Sequence, residues 1–319
     1  MKELDKLDEK ILYELDLDAR IPASKLAKKL KKSKETINFR INRLLKEKYL
    51  DGFYAVLNTS KLGWYYIKMY LRFKGISPEK EQEIIAYVQK QPHLSFLANT
   101  EGYYNLIVLI MVKQPNDMIN FLHPFMKNYG DFIQDKDITT FITAHRLNQK
   151  FFTPEARTKD TYYPRSIESY ELDERDKKIL ELLSENARMP LTEIAKKMHV
   201  DAKVVKYRIK KLEKDKIILG YVSSPNFSKL GLQFVQINIS LKDPTVMKSV
   251  TKYFDLTNKC LFVMEMLGKY DMAIEVHVKG YDELKEMLDG FRKLFSDSYT
   301  TYDVITITKQ HKMIWNPFR

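Results

Sequence analysis

One stretch of this chain is written twice. Residues 8–63 and 176–231 align over 56 positions without a gap, 168 residues apart, with 22 identities. Ala19-Arg20-x-Pro22 returns as Ala187-Arg188-x-Pro190, and Ala27-Lys28-Lys29 as Ala195-Lys196-Lys197. Asn58-x-Ser60-Lys61-Leu62-Gly63 returns as Asn226-x-Ser228-Lys229-Leu230-Gly231. A chain built this way folds as two related modules, and whatever one module does is present in duplicate. At 319 residues, each copy is long enough to bury a core of its own.

Each copy begins with a helical period. In residues 8–17, Ile11, Leu12 and Leu15 share one helical face, with Asp8 near the positive end of the helix dipole. Pro22 and Ser24 announce a second short helix through Leu30, with Leu26, Ala27 and Leu30 inward. Ser33 is a good N-cap for a third helix to about Lys48, whose Ile37, Ile41 and Leu44 keep the spacing of a buried stripe. Copy two repeats that stripe as Val205, Ile209 and Leu212, with Asp201 as the cap. Three short helices, the last two tightly joined, describe a helix-turn-helix.

The period then changes. A strand-like segment at 52–57 leads to Lys61-Leu62-Gly63, read as a hinge arm. Strands are expected at 66–73, 94–100, 105–112 and 133–143, with helices opened by Pro78 and Pro115. That order, β-α-β-β-α-β, is the ferredoxin-like arrangement. Copy two runs the same way over 234–241, 244–254, 261–267, 272–278, 281–295 and 299–308. The fold class is therefore α+β: two tandem copies of a winged helix-turn-helix head plus a ferredoxin-like βαββαβ domain. The expected boundaries are 1–52 and 53–151 for copy one, 152–171 for a linker, and 172–220 and 221–319 for copy two. The linker holds Pro154 and Pro164 and little periodicity, and Tyr162-Tyr163-Pro164 are candidates to pin it. Twenty extended residues span several tens of Å at roughly 3.3 Å each, enough for the copies to meet face to face.

Charge is concentrated on the heads. From Arg20 to Lys48 there are eleven Lys/Arg against two Asp/Glu, and from Arg188 to Lys216 ten against four, in a chain of net charge +12. A helix-turn-helix meets phosphate there, and its second helix enters the major groove. Asn38, Phe39, Asn42 and Arg43 are assigned to base or groove contact. Lys28, Lys29, Lys34 and Arg40 are assigned to phosphate, with Thr36 on the same surface. The copy-two surface is Lys196, Lys197, Lys203, Lys206, Tyr207, Arg208, Lys210 and Lys211. Arg40 and Arg208 lie beside the core face, so a structural hydrogen bond competes with a DNA contact at both.

One cysteine, Cys260, excludes an intrachain disulfide and a multi-cysteine metal site. It fits a reducing compartment. The N-terminal residues carry charge from Lys2 onward, and the longest apolar run, residues 106–112, is too short to cross a bilayer. These features lead to the expectation of a cytoplasmic protein that uses no membrane, no cofactor and no metal. His145 and His311 occupy matching strand ends, where solvent-facing histidines are commoner than metal pairs. Phosphate-loop, nucleophile-elbow and nucleophile–His–carboxylate patterns do not occur, so the chain is not expected to be an enzyme.

The combination Leu7-Asp8-x-x-Ile11-Leu12, Ala19-Arg20, Lys25-Leu26-Ala27, Thr36-Ile37-x-x-Arg40-Ile41-x-x-Leu44, Gly52-Phe53-Tyr54 and Lys61-Leu62-Gly63 resembles the Lrp/AsnC (feast/famine) transcriptional regulators. Copy two repeats its elements and adds Gly268-Lys269-Tyr270-Asp271, so the resemblance covers all but the linker. It implies sequence-specific binding of double-stranded DNA, sheet domains that pair, higher homo-oligomers, and an amino-acid effector between paired domains. Members usually carry one copy per chain and dimerise. Here the two sheets are expected to pair within one chain, an intrachain pseudo-dimer with two unlike reading heads. The effector positions implied are Gly102, Tyr104, Asn105, Gly268, Tyr270 and Asp271. A glycine needed only for a strand-to-strand turn is the alternative at both loops, and the Asp271 site is favoured because Asn105 lacks the carboxylate.

Two other readings stand beside this one. Sirohaem decarboxylases resemble the chain in architecture, but carry His-Asn-Tyr before the glycine loop where this chain has Phe96-Leu97-Ala98 and Phe262-Val263-Met264. Architectural, sequence-independent DNA compaction would suit the lysine-heavy second head.

Overall fold

The computed structural model describes residues 4–147, 152–153, 161–163 and 168–318. Head one is α1 (Lys6–Leu17), α2 (Ala23–Leu30) and α3 (Lys34–Lys46), followed by strand β1 (Leu50–Leu57). Asp5 starts α1 three residues earlier than Asp8 suggested, its carboxylate accepting from the Leu7 and Asp8 amides. Ser33 caps α3 through the Thr36 amide. Next come β2 (Tyr65–Phe73), α4 (Pro78–Gln89), β3 (Leu94–Glu101), β4 (Leu106–Val112), α5 (Pro115–Tyr129) and β5 (Ile133–Arg146). A short strand, β6 (Thr161–Tyr163), lies in the connection and pairs with the end of β5. Tyr162 and Tyr163 do anchor that segment, while Pro154 and Pro164 lie outside the described residues.

Copy two repeats the order: α6 (Glu174–Glu185), α7 (Leu191–Met198), α8 (Ala202–Lys214), β7 (Ile218–Pro225), β8 (Gln233–Leu241) and α9 (Met247–Leu256). Then follow β9 (Cys260–Leu267), β10 (Met272–Val278), α10 (Tyr281–Phe295) and β11 (Tyr299–Met313).

Each copy forms the four-stranded order of a ferredoxin-like sheet, β3-β4-β2-β5 and β9-β10-β8-β11. The last strand of each is longer than its hydrophobic alternation suggested. That extra length pairs with the other copy: β5 with β9, and β11 with β3. Because β5 also pairs with β2, the ring β2-β4-β3-β11-β8-β10-β9-β5 closes into an eight-stranded antiparallel barrel with no free edge among its members. Separate apolar cores lie under the helices of each copy, one around Ile84, Leu97 and Phe125, the other around Val250, Ile274 and Phe291.

The heads are exchanged. β1 pairs with β7, and this ribbon belongs to the head layer rather than to the barrel. Helix α1 packs against β7 and α6 against β1, so each head rests on the other copy's strand. The Ala19 amide donates to the Tyr221 carbonyl and the Ala187 amide to the Phe53 carbonyl, both at 2.9 Å. The repeated arginines complete the exchange: Arg20 donates to Ala187 O at 2.5 Å and Arg188 to Ala19 O at 2.6 Å. Both heads thus share one apolar core, including Ile11, Leu44, Ile179 and Leu212.

Candidate nucleic-acid interface and barrel cavity

Burying Ile37, Ile41 and Leu44 in α3 turns Asn38, Phe39 and Asn42 outward. In α8, burial of Val205, Ile209 and Leu212 does the same for Lys203, Lys206, Tyr207, Lys210 and Lys211. Phe39 is 66% exposed and Tyr207, at the matching place, 70%. Two large aromatic side chains held in water at equivalent points of both helices gain nothing for folding. Lys28, Lys29, Lys34, Lys196 and Lys197 are also exposed, Lys29 reaching back to Glu14 at 2.6 Å, and Thr36 is half-buried beneath the Ser33 cap.

The arginines do something else. Arg40 donates to Asp5 at 2.6 Å and to Asp8 at 3.1 Å, and the Asp5 hydrogen bond raises its pKa further. Arg43, expected at the base edges, has a 10% exposed side chain folded back onto the buried Asp8 carboxylate. Arg208 likewise holds Asp176 at 2.8 Å and Asp173 at 2.7 Å. In each head the arginine neutralises an otherwise buried acid at the start of the first helix, which corrects the assignment of Arg43 and favours the structural role for Arg40 and Arg208. Sequence reasoning missed this because α1 and α3 meet only in the tertiary fold.

The glycine loops lie at one end of the barrel, where each approaches the other copy. Gly102 has φ +128°, and a Cβ there would stand 2.6 Å from the Val304 carbonyl oxygen. Gly268 has φ +153°, and its Cβ would meet Thr139 Cγ2 at 2.6 Å. Asn105 Oδ1 accepts from the Phe73 amide at 2.9 Å, and Asp271 Oδ2 from the Leu241 amide at 2.7 Å. The expected contrast between an amide and a ligand-ready carboxylate is therefore not how these residues are used: both tie a loop to its own sheet. Tyr104 and Tyr270 are fully buried and meet hydroxyl to hydroxyl at 3.3 Å. Tyr270 also bonds Asp303, and burial with that carboxylate pushes its phenol well above the usual range.

From that closed end, pseudo-symmetric partners face each other down the barrel: Tyr104 with Tyr270, then Tyr70 with Asn238 at 3.4 Å, then Lys68 with Gln236 at 2.9 Å. Beyond Lys68 the interior opens into a cavity of about 690 Å³. Phe96, Phe141, Phe262 and Trp315 line its walls, Tyr54 and Ser223 reach it from the β1–β7 ribbon, and Asn226 from the residue after β7. His277 stacks between Phe227 and Phe234 at 3.7 and 4.9 Å, and burial lowers its pKa to about 3. At one side Arg146 holds Asp16 of head one at 2.5 Å, with side chains 4% and 0% exposed. His145 packs on Tyr162, and His311 hydrogen-bonds Asn99. Among the described residues no cluster of His, Cys, Asp or Glu could hold a metal ion, and no helix is long and apolar enough to cross a membrane.

A three-helix head whose third helix presents an exposed face, carried on a ferredoxin-like sheet, defines the AsnC-type helix-turn-helix class. The AsnC-type helix-turn-helix profile matches residues 4–45, and a profile described as winged helix-turn-helix DNA-binding matches residues 172–218. The HTH-type transcriptional regulator LrpA of Pyrococcus horikoshii is 52% identical over 113 residues, 35% of this chain and 71% of that one. The regulator LysM of Sulfurisphaera tokodaii is 30% identical over 126 residues, 39% of this chain and 87% of its own. The chain belongs to the Lrp/AsnC family of helix-turn-helix transcriptional regulators. Over its whole length the fold is also that of the siroheme decarboxylase NirDL, solved with an iron-uroporphyrin III analogue. The TM-score is 0.67 at 14% identity, covering 99% of this chain and 95% of that one.

Proposed function

We propose that this protein is a double-stranded-DNA-binding transcriptional regulator in which one chain supplies both reading heads. The observation that carries this reading is the pair of solvent-held aromatics, Phe39 and Tyr207, each flanked by exposed polar or basic residues on an equivalent helix. Phosphate contact falls to Lys28, Lys29 and Lys34 in head one and to Lys196, Lys197 and Lys203 in head two. Base-edge and groove contact falls to Asn38, Phe39 and Asn42 against Lys206, Tyr207, Lys210 and Lys211. The heads differ, so the operator is asymmetric: head one supplies more selectivity, head two more salt-sensitive grip.

The shared head core and the Arg20 and Arg188 exchange support a fixed spacing between the two helices. An enzyme reading is less well supported. The strands before the glycine loops lack an acid/base histidine, and His277 is stacked against the Phe227 and Phe234 rings.

Selection of bound fragments from a random duplex pool, followed by footprinting, tests the proposal. A recurrent, non-palindromic sequence with discrete footprint edges is the expected result. Uniform protection would point to packaging instead, and no retention of duplex in dilute buffer would remove the regulator reading. Mixing with an iron tetrapyrrole is expected to leave its absorbance unchanged.

A further inference from the structure

Eight-stranded barrels leave room for side chains or for one small ligand. The closed end of this one is filled by tyrosines, while the other holds the cavity of about 690 Å³, within the usual range for small-molecule sites. Among the described residues that line it, Lys68 of β2 is the one lysine.

Lys68 crosses the bore. Strand β8 lies four strands from β2 in either direction around the ring, so the two face each other. Lys68 Nζ donates to Gln236 of β8 at 2.9 Å and stands 4.0 Å from the carboxylate of Glu275, the register partner of Gln236 on β10. That separation is beyond hydrogen-bond range. The amine also lies 5.0 Å from the centre of the Phe141 ring and 5.8 Å from that of Tyr70. The Lys68 side chain is 3% exposed and that of Glu275 17%. Desolvation in apolar surroundings is what turns a lysine into an amine nucleophile. Here burial lowers Lys68 to about 8, which makes its free amine roughly a hundredfold more abundant at neutral pH than that of an exposed lysine. Burial also raises Glu275, so that carboxyl is better able to hold a proton.

We infer that Lys68 is a covalent capture site for an aldehyde with a planar, apolar body, which it holds as an imine inside the barrel. The Lys68 nitrogen attacks the carbonyl carbon, a C–N bond forms, and the ammonium proton passes to the alkoxide oxygen to give the carbinolamine. Glu275 in its acid form protonates that hydroxyl, which leaves as water while the nitrogen lone pair completes C=N. Nothing is oxidised or reduced. The iminium carries the charge the ammonium had, Glu275 is its counter-ion, and the Phe141 ring faces the cation as before. Phe96, Phe262 and Trp315 offer ring surface to the apolar body. The roof is the β1–β7 ribbon, so a captured aldehyde lies against the element on which both heads rest.

The test uses the full chain without DNA, so its outcome is independent of the regulator reading. Cinnamaldehyde at limiting concentration is mixed with the protein, trapped with cyanoborohydride at intervals and followed by intact mass and peptide mapping. Lys68 is expected to gain the reduced adduct faster than any exposed lysine by roughly ten- to hundredfold. Without the trap, the probe's absorbance band is expected to move to longer wavelength as the protonated imine forms. Lys68→Arg keeps the cation and should abolish both the fast adduct and the band, and Glu275→Gln should slow capture by about a hundredfold. A map of the parent protein in which Lys68 is labelled no faster than exposed lysines would overturn the site, whether or not the variants fold. A Glu275→Gln variant that captures at the parent rate would overturn the part given to that acid.

Discussion

Asp16→Asn is expected to be among the most damaging single changes in the molecule. Asp16 lies on α1 of head one and Arg146 at the end of β5, so their 2.5 Å ion pair joins head to barrel. Both side chains are almost fully buried. Burial alone would push the Arg146 guanidinium down, and the Asp16 carboxylate more than reverses it, so arginine stays charged whatever happens to its partner. Removing the carboxylate leaves an uncompensated buried cation, which costs about 3–5 kcal/mol. At about 2 °C per kcal/mol for a chain of this size, the melting midpoint falls by roughly 6–10 °C in calorimetry. Hydrogen exchange should quicken first in α1 and in the last turn of pairing between β5 and β6. The double change Asp16→Leu with Arg146→Met removes both charges and keeps apolar volume. It should recover to within about 2 kcal/mol of the parent, giving a large coupling energy in the mutant cycle. A single Asp16→Asn variant that melts with the parent would refute the reasoning, as would a double variant whose loss is the sum of the two singles.

Four other outcomes are expected. Gly102→Ala and Gly268→Ala each force a Cβ within 2.6 Å of the opposite copy at positive φ, and should lower the melting midpoint; Gly220→Ala, with open space around it, should not. Phe39→Ala should weaken selected duplex more than random duplex, whereas Lys206→Ala and Lys210→Ala together should weaken both and reduce the salt slope by about 2, read by fluorescence anisotropy. His277 has its folded pKa lowered from 6.5 to about 3 by burial, so the unfolded chain binds the extra proton first as pH falls. Stability is then lost on acidification from about 6.5 towards 3, and His277→Phe should remove part of that loss in urea melts. Lys68 has its folded pKa lowered to about 8, so its unfolded form holds the proton up to about 10.5 and stability rises between those values. Lys68→Met should lack a rise of roughly 3 kcal/mol over that window, measured as the difference between the two proteins.

Much was legible in the sequence because it is local. The period of Ile37, Ile41 and Leu44 fixes which face of α3 is buried, and therefore that Asn38, Phe39 and Asn42 point outward. Alternation and proline punctuation place the ferredoxin-like strands and helices, and the repeat predicts that two sheets meet. What the sequence could not carry is partner choice between distant segments. Arg43 has the composition of a base contact, yet Asp8 lies 35 residues away and claims it. The surplus length of β5 and β11 has no periodic signature, but it is what closes the barrel. The exchange of heads across β1 and β7 is a choice between two nearly equivalent surfaces, since each copy offers the same one. Lys68 and Glu275 sit 207 positions apart on strands that look ordinary in isolation. Only closure of the ring puts them beside one cavity, because strand pairing obeys geometry over the whole sheet while side-chain pattern is set within a few residues.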